Sequence, residues 1–255
     1  MILAFRKYTY PVIIGLIINS AILQAQTTVN EQIHFFRQGE IFSIPLPDSI
    51  CLLHPEYENT DQLKQVKPIH YRVSAPFPSV VLEDSLVLGC YLVTPAHLFA
   101  VDSVLSVYHI LEKYPEVQQI IITRSHNYLG YLEEMLNVPF VLPPRRLKDG
   151  KHQTDERLAV DCAELAIYGR RRQGYVVPYC GPKKIAEYLV PAQRFQPGTI
   201  IHFGHQVSVL YEDRGQPGVL DGEDLLIHAY KDKAEIIALK NTDLDRRPYR
   251  LYDWK

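Results

Sequence analysis

The sequence predicts an α+β fold, a cysteine-bearing helix packed on antiparallel strands, preceded by an α/β or strand-rich N-terminal module. Three observations carry this. Asp161 to Arg171 reads as a helix, and residues 199–203, 206–211, 225–230 and 234–239 read as strands with no helix among them. The cluster Asp213-Arg214-Gly215-Gln216-Pro217-Gly218 is a turn between two of those strands. The chain also carries 17 Tyr and 18 Pro against one Trp, a balance that leans toward strands and loops.

The first element is a targeting segment. Arg6 and Lys7 precede an apolar stretch from Val12 to Leu23, and Ala25 supplies the small residue at the cleavage position. Residues 1–25 are therefore expected to be a signal peptide, with the mature chain starting near Gln26. The alternative is an uncleaved anchor. No later segment is apolar enough for stable membrane insertion. Hydrophobic residues make up 47% of the 255 and charged residues 22%, the profile of a folded chain. A formal net charge of −2 gives no electrostatic case for nucleic acid.

Residues 26–40 read as a lead-in or short helix. Strands are expected at 41–46, 70–73, 80–82 and 86–93, then a helix over 95–114 from the spacing of Leu98, Val101, Leu105, Tyr108 and Leu111. A strand at 117–122, a short helix at 127–135 and a strand at 138–142 follow. Pro143-Pro144 and the polar run after it mark the domain boundary, which gives a module of unknown role over 26–143 and a second over 144–255. The chain has no Gly-rich phosphate loop.

Export puts the four cysteines in an oxidising compartment. Two structural disulfides are one reading. The other is a Cys51–Cys90 disulfide with Cys162 left as a free thiol. Asp161-Cys162-Ala163-Glu164 is a capping signal, with Asp161 as N-cap and Glu164 as the reciprocal carboxylate. A thiol in the first helical turn meets the positive end of the helix dipole, so its pKa is expected to fall. Leu158, Leu165 and Gly169 share its face. A buried core cysteine or a disulfide to Cys180 is the plainer alternative.

Two histidines on later strands suit a thiol chemistry. His205 is expected in phase with Val207 and Val209 on the core face, with His202 pointing the other way. His228 lies in the apolar strand 225–230. Thiol, base and orienting group are the parts of a nucleophilic triad, with Cys162 attacking, His205 shuttling the proton and His228 holding His205. No close C-x-x-C or H-x-x-x-H spacing supports a metal site. Arg170-Arg171-Arg172 reads as a solvated helix end, and Tyr175, Tyr179 and Tyr188 as packing residues.

Asp161-Cys162-Ala163-Glu164-Leu165, Pro197-Gly198-Thr199-Ile200-Ile201-His202-Phe203, Gly204-His205 and Ile227-His228-Ala229 together resemble the NlpC-like cell-wall cysteine peptidases over about residues 154–255. The resemblance implies a papain-like module that uses no cofactor or metal. It also implies hydrolysis of amide bonds in peptidoglycan stem peptides, in the periplasm or outside the cell. Departures are Gln206 after His205, Thr199 where Asp is common, a longer loop between the two His strands, and no Tyr near Gly150, about a dozen residues before Cys162. The amide of Cys162 supplies one oxyanion donor, and Gln153 is the candidate for a second. An acyltransferase or amidase on the same scaffold, and an inactive envelope-binding protein, are the alternatives.

Overall fold

The computed structural model describes residues 32–40, 44–56, 68–82, 86–147 and 149–255. The expected signal peptide (1–25), the rest of the lead-in to residue 31, and 41–43 of the expected first strand lie outside the described residues. The fold is α+β, rich in sheet and poor in helix. No helix among the described residues is long and apolar enough to cross a membrane.

The N-terminal half builds a seven-stranded sheet in the order β1-β7-β5-β2-β3-β6, with β4 also on β2. Its strands are β1 (Ile33–Arg37), β2 (Ser49–Glu56), β3 (Ile69–Val73), β4 (Phe77–Pro78), β5 (Gly89–Pro95), β6 (Val104–Val107) and β7 (Gln118–Thr123). Only the β1–β7 pair is parallel. Short helices α1 (Ile110–Lys113) and α2 (Tyr128–Glu133) flank β7 in the chain. The C-terminal half opens with α3 (Cys162–Arg172) and α4 (Pro182–Ile185). It then builds an antiparallel sheet, β12-β11-β10-β9-β13-β8. Those strands are β8 (Leu189–Pro191), β9 (Ile200–His202), β10 (Val207–Glu212), β11 (Leu225–Tyr230), β12 (Lys233–Ala238) and β13 (Arg250–Trp254).

Several expectations are corrected. The helix expected over 95–114 is strand β6 followed by the single-turn α1. Leu105 and Val107 turn toward the core while Val104 and Ser106 are exposed, and pairing with β3 imposes that alternation. The lead-in contains strand β1 instead of a helix. Residues 138–142 form isolated bridges, Pro139 to Lys233 and Phe140 to Val160, instead of a strand. Leu158 precedes α3 and packs in a different cluster from Cys162. Cys51 and Cys90 are free thiols, as are Cys162 and Cys180. Cys51 pairs in register with Thr94, and Cys90 lies four residues farther along β5. At ~3.3 Å per residue that is roughly 13 Å, beyond the reach of a disulfide.

One apolar cluster joins the two halves. It runs from Ile120, Ile121 and Ile122 of β7 through Leu132 and Met135 to Leu165 and Ile167 of α3, and on to Val207, Val209, Ile227 and Ala229. Core therefore continues across Pro143-Pro144. A second cluster, with Leu210, Leu226, Ile201 and Phe203, covers the other face of the second sheet. Helices α2 and α3 meet at Gly169, where a Cβ would stand 2.6 Å from Leu132 and 2.8 Å from Tyr128.

Polar contacts reinforce the same junction. Glu133 accepts from the Tyr211 hydroxyl at 2.5 Å and from the Arg124 amide at 2.6 Å. Glu134 accepts from the Tyr168 hydroxyl and, at 2.9 Å, from Arg172, with Arg157 3.9 Å away. Glu134 and Arg157 are both buried, so Glu134→Ala strands a buried guanidinium. We expect a loss of about 3–5 kcal/mol in chemical denaturation, a cost associated with breaking a buried pair from one side.

Candidate functional site

Helix α3 begins where the sequence says it should. The Asp161 carboxylate accepts from the amides of Ala163 (2.9 Å) and Glu164 (2.8 Å), which satisfies two of the helix's open donors. Glu164 does not complete a reciprocal box. Its carboxylate accepts from the Thr154 hydroxyl and stands 3.6 Å from the ring of His152. His152 stacks on Tyr179 at 4.4 Å, and the Tyr179 hydroxyl donates to Asp155 at 2.6 Å. Nothing in the polar run 145–153 marks His152 for this role, and Tyr179 reads in the sequence only as a packing residue.

Cys162 opens the helix but is only 4% exposed. Burial pushes its thiol up, and the adjacent Asp161 carboxylate pushes the same way. Backbone amides of Val207, Ala163 and Cys162 itself pull down. Burial outweighs them, so the thiol is raised and not lowered. Helix-terminus stabilisation is worth only a few tenths to about 2 kcal/mol, less than removing a thiolate from water.

The three expected triad members do not occupy equivalent ground. Strand β10 begins at Val207, so His205 stands before it. The amide of Phe203 donates to the carbonyl of Gln206 at 2.8 Å, which makes Gly204-His205 the two-residue tip of the β9–β10 hairpin. Gly204 takes φ +86° there, and His205 is exposed. His202 pairs in register with Val207 and so shares its face, contrary to the expected alternation. Its ring is already engaged, by the Pro182 carbonyl at 2.7 Å and the Gly204 amide at 3.0 Å.

Gln206 is the residue sequence reasoning passed over as an interruption. It is buried beside Val207, and its amide nitrogen donates to the carbonyls of Ala229 (3.2 Å) and Val207 (3.3 Å). His228 is buried in β11 between Ile227 and Ala229, which both face α3, so alternation puts His228 in the other row, with Leu226. It pairs with Glu235, 3.7 Å away, and its Nδ1 has no hydrogen-bond partner. Gln153 is buried, but its side-chain oxygen accepts from the Arg145 amide at 2.9 Å and braces that turn.

The arginines of α3 stay partly exposed, Arg172 most of all, but each also reaches an acceptor. Arg170 donates to the Lys255 carbonyl, Arg171 to the Val177 carbonyl and Asp155, and Arg172 to Glu134.

The carboxyl of Glu164 is pushed up to about 9, chiefly by burial and then by Asp161, which is itself raised to about 6 by burial. Both folded values exceed the unfolded ones, 4.5 and 3.8. The folded state therefore holds protons that the unfolded state has released, and stability falls as pH rises from about 4 to about 9. Glu164→Gln should raise stability at pH 8 by about 1–3 kcal/mol and change little at pH 4.5. Denaturation midpoints at the two pH values test this. Compared with protein-family models, curated proteins and solved structures, the chain matches none of them.

Proposed function

We propose that the chain is an exported cell-envelope protein that carries a papain-like, NlpC-type module and binds cell-wall peptides without cutting them. The module reading rests on the motif order around Cys162, on α3 opening at that residue, and on the antiparallel strands that follow. The single observation that carries the non-hydrolytic part is the separation of thiol and imidazole. Cys162 is buried under the core, while the imidazole of His205 sits on an exposed turn and His228 lies in the opposite row of β11. An imidazole on an exposed turn is not placed to take the proton of a buried thiol, and a raised, buried thiol is a poor nucleophile.

Hydrolysis, with Cys162 attacking, His205 as base and His228 orienting it, is the second reading. In its favour, three backbone amides face the sulfur, an arrangement suited to an anion at the head of α3.

Purified murein incubated with the full chain should yield no new fragments by mass analysis. Cys162 should react slowly with iodoacetamide at pH 7.5. Fragments released by the unaltered chain and lost in Cys162→Ser would establish the hydrolase instead. Export is tested separately: intact mass from the native host should match a chain starting at or near Gln26.

A further inference from the structure

The second sheet ends at β12, and the outer edge of that strand is only half covered. The Ala234 amide donates to the Val138 carbonyl, and the Ala234 carbonyl accepts from the Asn137 amide, both at 2.9 Å. The Phe140 amide donates to the Asp232 carbonyl at 2.8 Å. Residues 137–140 thus already add to β12 as a short antiparallel stretch. It starts at Asn137, where φ is +68°.

Backbone groups in an antiparallel strand point alternately toward one neighbour and the other. Those of Ala234 point outward, so those of Ile236 do too. Among the described residues no bond reaches Ile236 on that side. Its edge opens on a crevice of about 420 Å³ between the two sheets, with Leu88, Tyr91 and Leu136 in the wall. At one end Lys233 donates to the Asn137 side chain at 3.2 Å, and no carboxylate among the described residues forms an ion pair with it. Glu235, two residues along β12 and also in the wall, pairs with His228 at 3.7 Å and feels Lys233 only at longer range.

An open strand edge is a template for an added strand, an apolar wall takes alternate side chains, and an ammonium with no carboxylate in ion-pair contact takes one. We propose that this edge is a peptide-binding site. An extended peptide adds antiparallel to β12 at Ile236, in line with residues 137–140. It sets an apolar side chain in the crevice and brings its C-terminal carboxylate to Lys233. The ligand class rests on the peptide-binding reading above; the site is separate from the Cys162 end of α3.

The test uses the full chain and a dye-labelled tetrapeptide of alternating alanine and leucine, as the free acid and as the C-terminal amide, read by fluorescence polarisation. The acid should bind about tenfold more tightly than the amide. Lys233→Met should abolish that difference. Ile236→Pro removes the outward amide at an edge position where proline is tolerated, and should weaken both forms. Thermal melts of the two variants check that they fold, and hydrogen exchange at the Ile236 amide should slow with saturating acid peptide. Equal binding of acid and amide, or unchanged exchange at Ile236, overturns the site. Soluble muropeptides that protect only residues around Cys162 would remove the edge site and leave the peptide-binding reading standing. No binding of either ligand would remove both.

Discussion

Two adjacent carboxylates at the end of α2 hold the molecule's halves in one arrangement. Glu133 and Glu134 are nearly inaccessible, and burying ionised groups without partners is expensive. Glu133 is answered by the end of β7 and by Tyr211 of β10, so it bridges the two sheets. Glu134 is answered by Tyr168 and Arg172 of α3, with Arg157 close by. Together they set where α3 lies against α2, and the close approach at Gly169 follows from that placement. The apolar cluster supplies the non-directional attraction; the carboxylates make the arrangement specific.

The same burial decides the chemistry at Cys162. A helix terminus favours an anion, and the Asp161 cap is made as the motif requires. The cap is also a carboxylate beside the sulfur, and both are sealed under the core. A signature that suggests an activated thiol in an open cleft here describes a thiol held protonated. Gln206, just before β10, is a carboxamide committed to two backbone carbonyls, one on each of β10 and β11.

Polar residues that look like surface decoration in the sequence turn out to be structural. The three arginines of α3 each reach a defined acceptor, and each also lies over an aromatic ring, Arg170 over Tyr175 at 3.3 Å, Arg171 over Tyr179 at 4.7 Å and Arg172 over Tyr131 at 5.1 Å. Arg157 and Arg172 flank the half-exposed Phe35 of edge strand β1. Tyr179 and His152 are likewise tied to the base of α3 through Asp155 and Glu164.

The sequence by itself determined the elements whose signals are local. The cap at Asp161, the helix of eleven residues after it, and strands β9 to β12 were legible because capping chemistry and period-two alternation act over a few residues. Tertiary structure decided what depends on partners distant in the chain. Leu98, Val101 and Leu105 have helical spacing, yet pairing with β3 makes Val104–Val107 a strand. The Cys51–Cys90 pairing was plausible from the count and fails on register. At the candidate site, Cys162 could be located from its motif, but its protonation could not, because burial comes from β10 and β11. The place of His205 rested on where β10 starts. A one-residue difference in a hairpin reverses which side chains face inward, and only the β9–β10 register, with Gly204-His205 at its tip, resolves it.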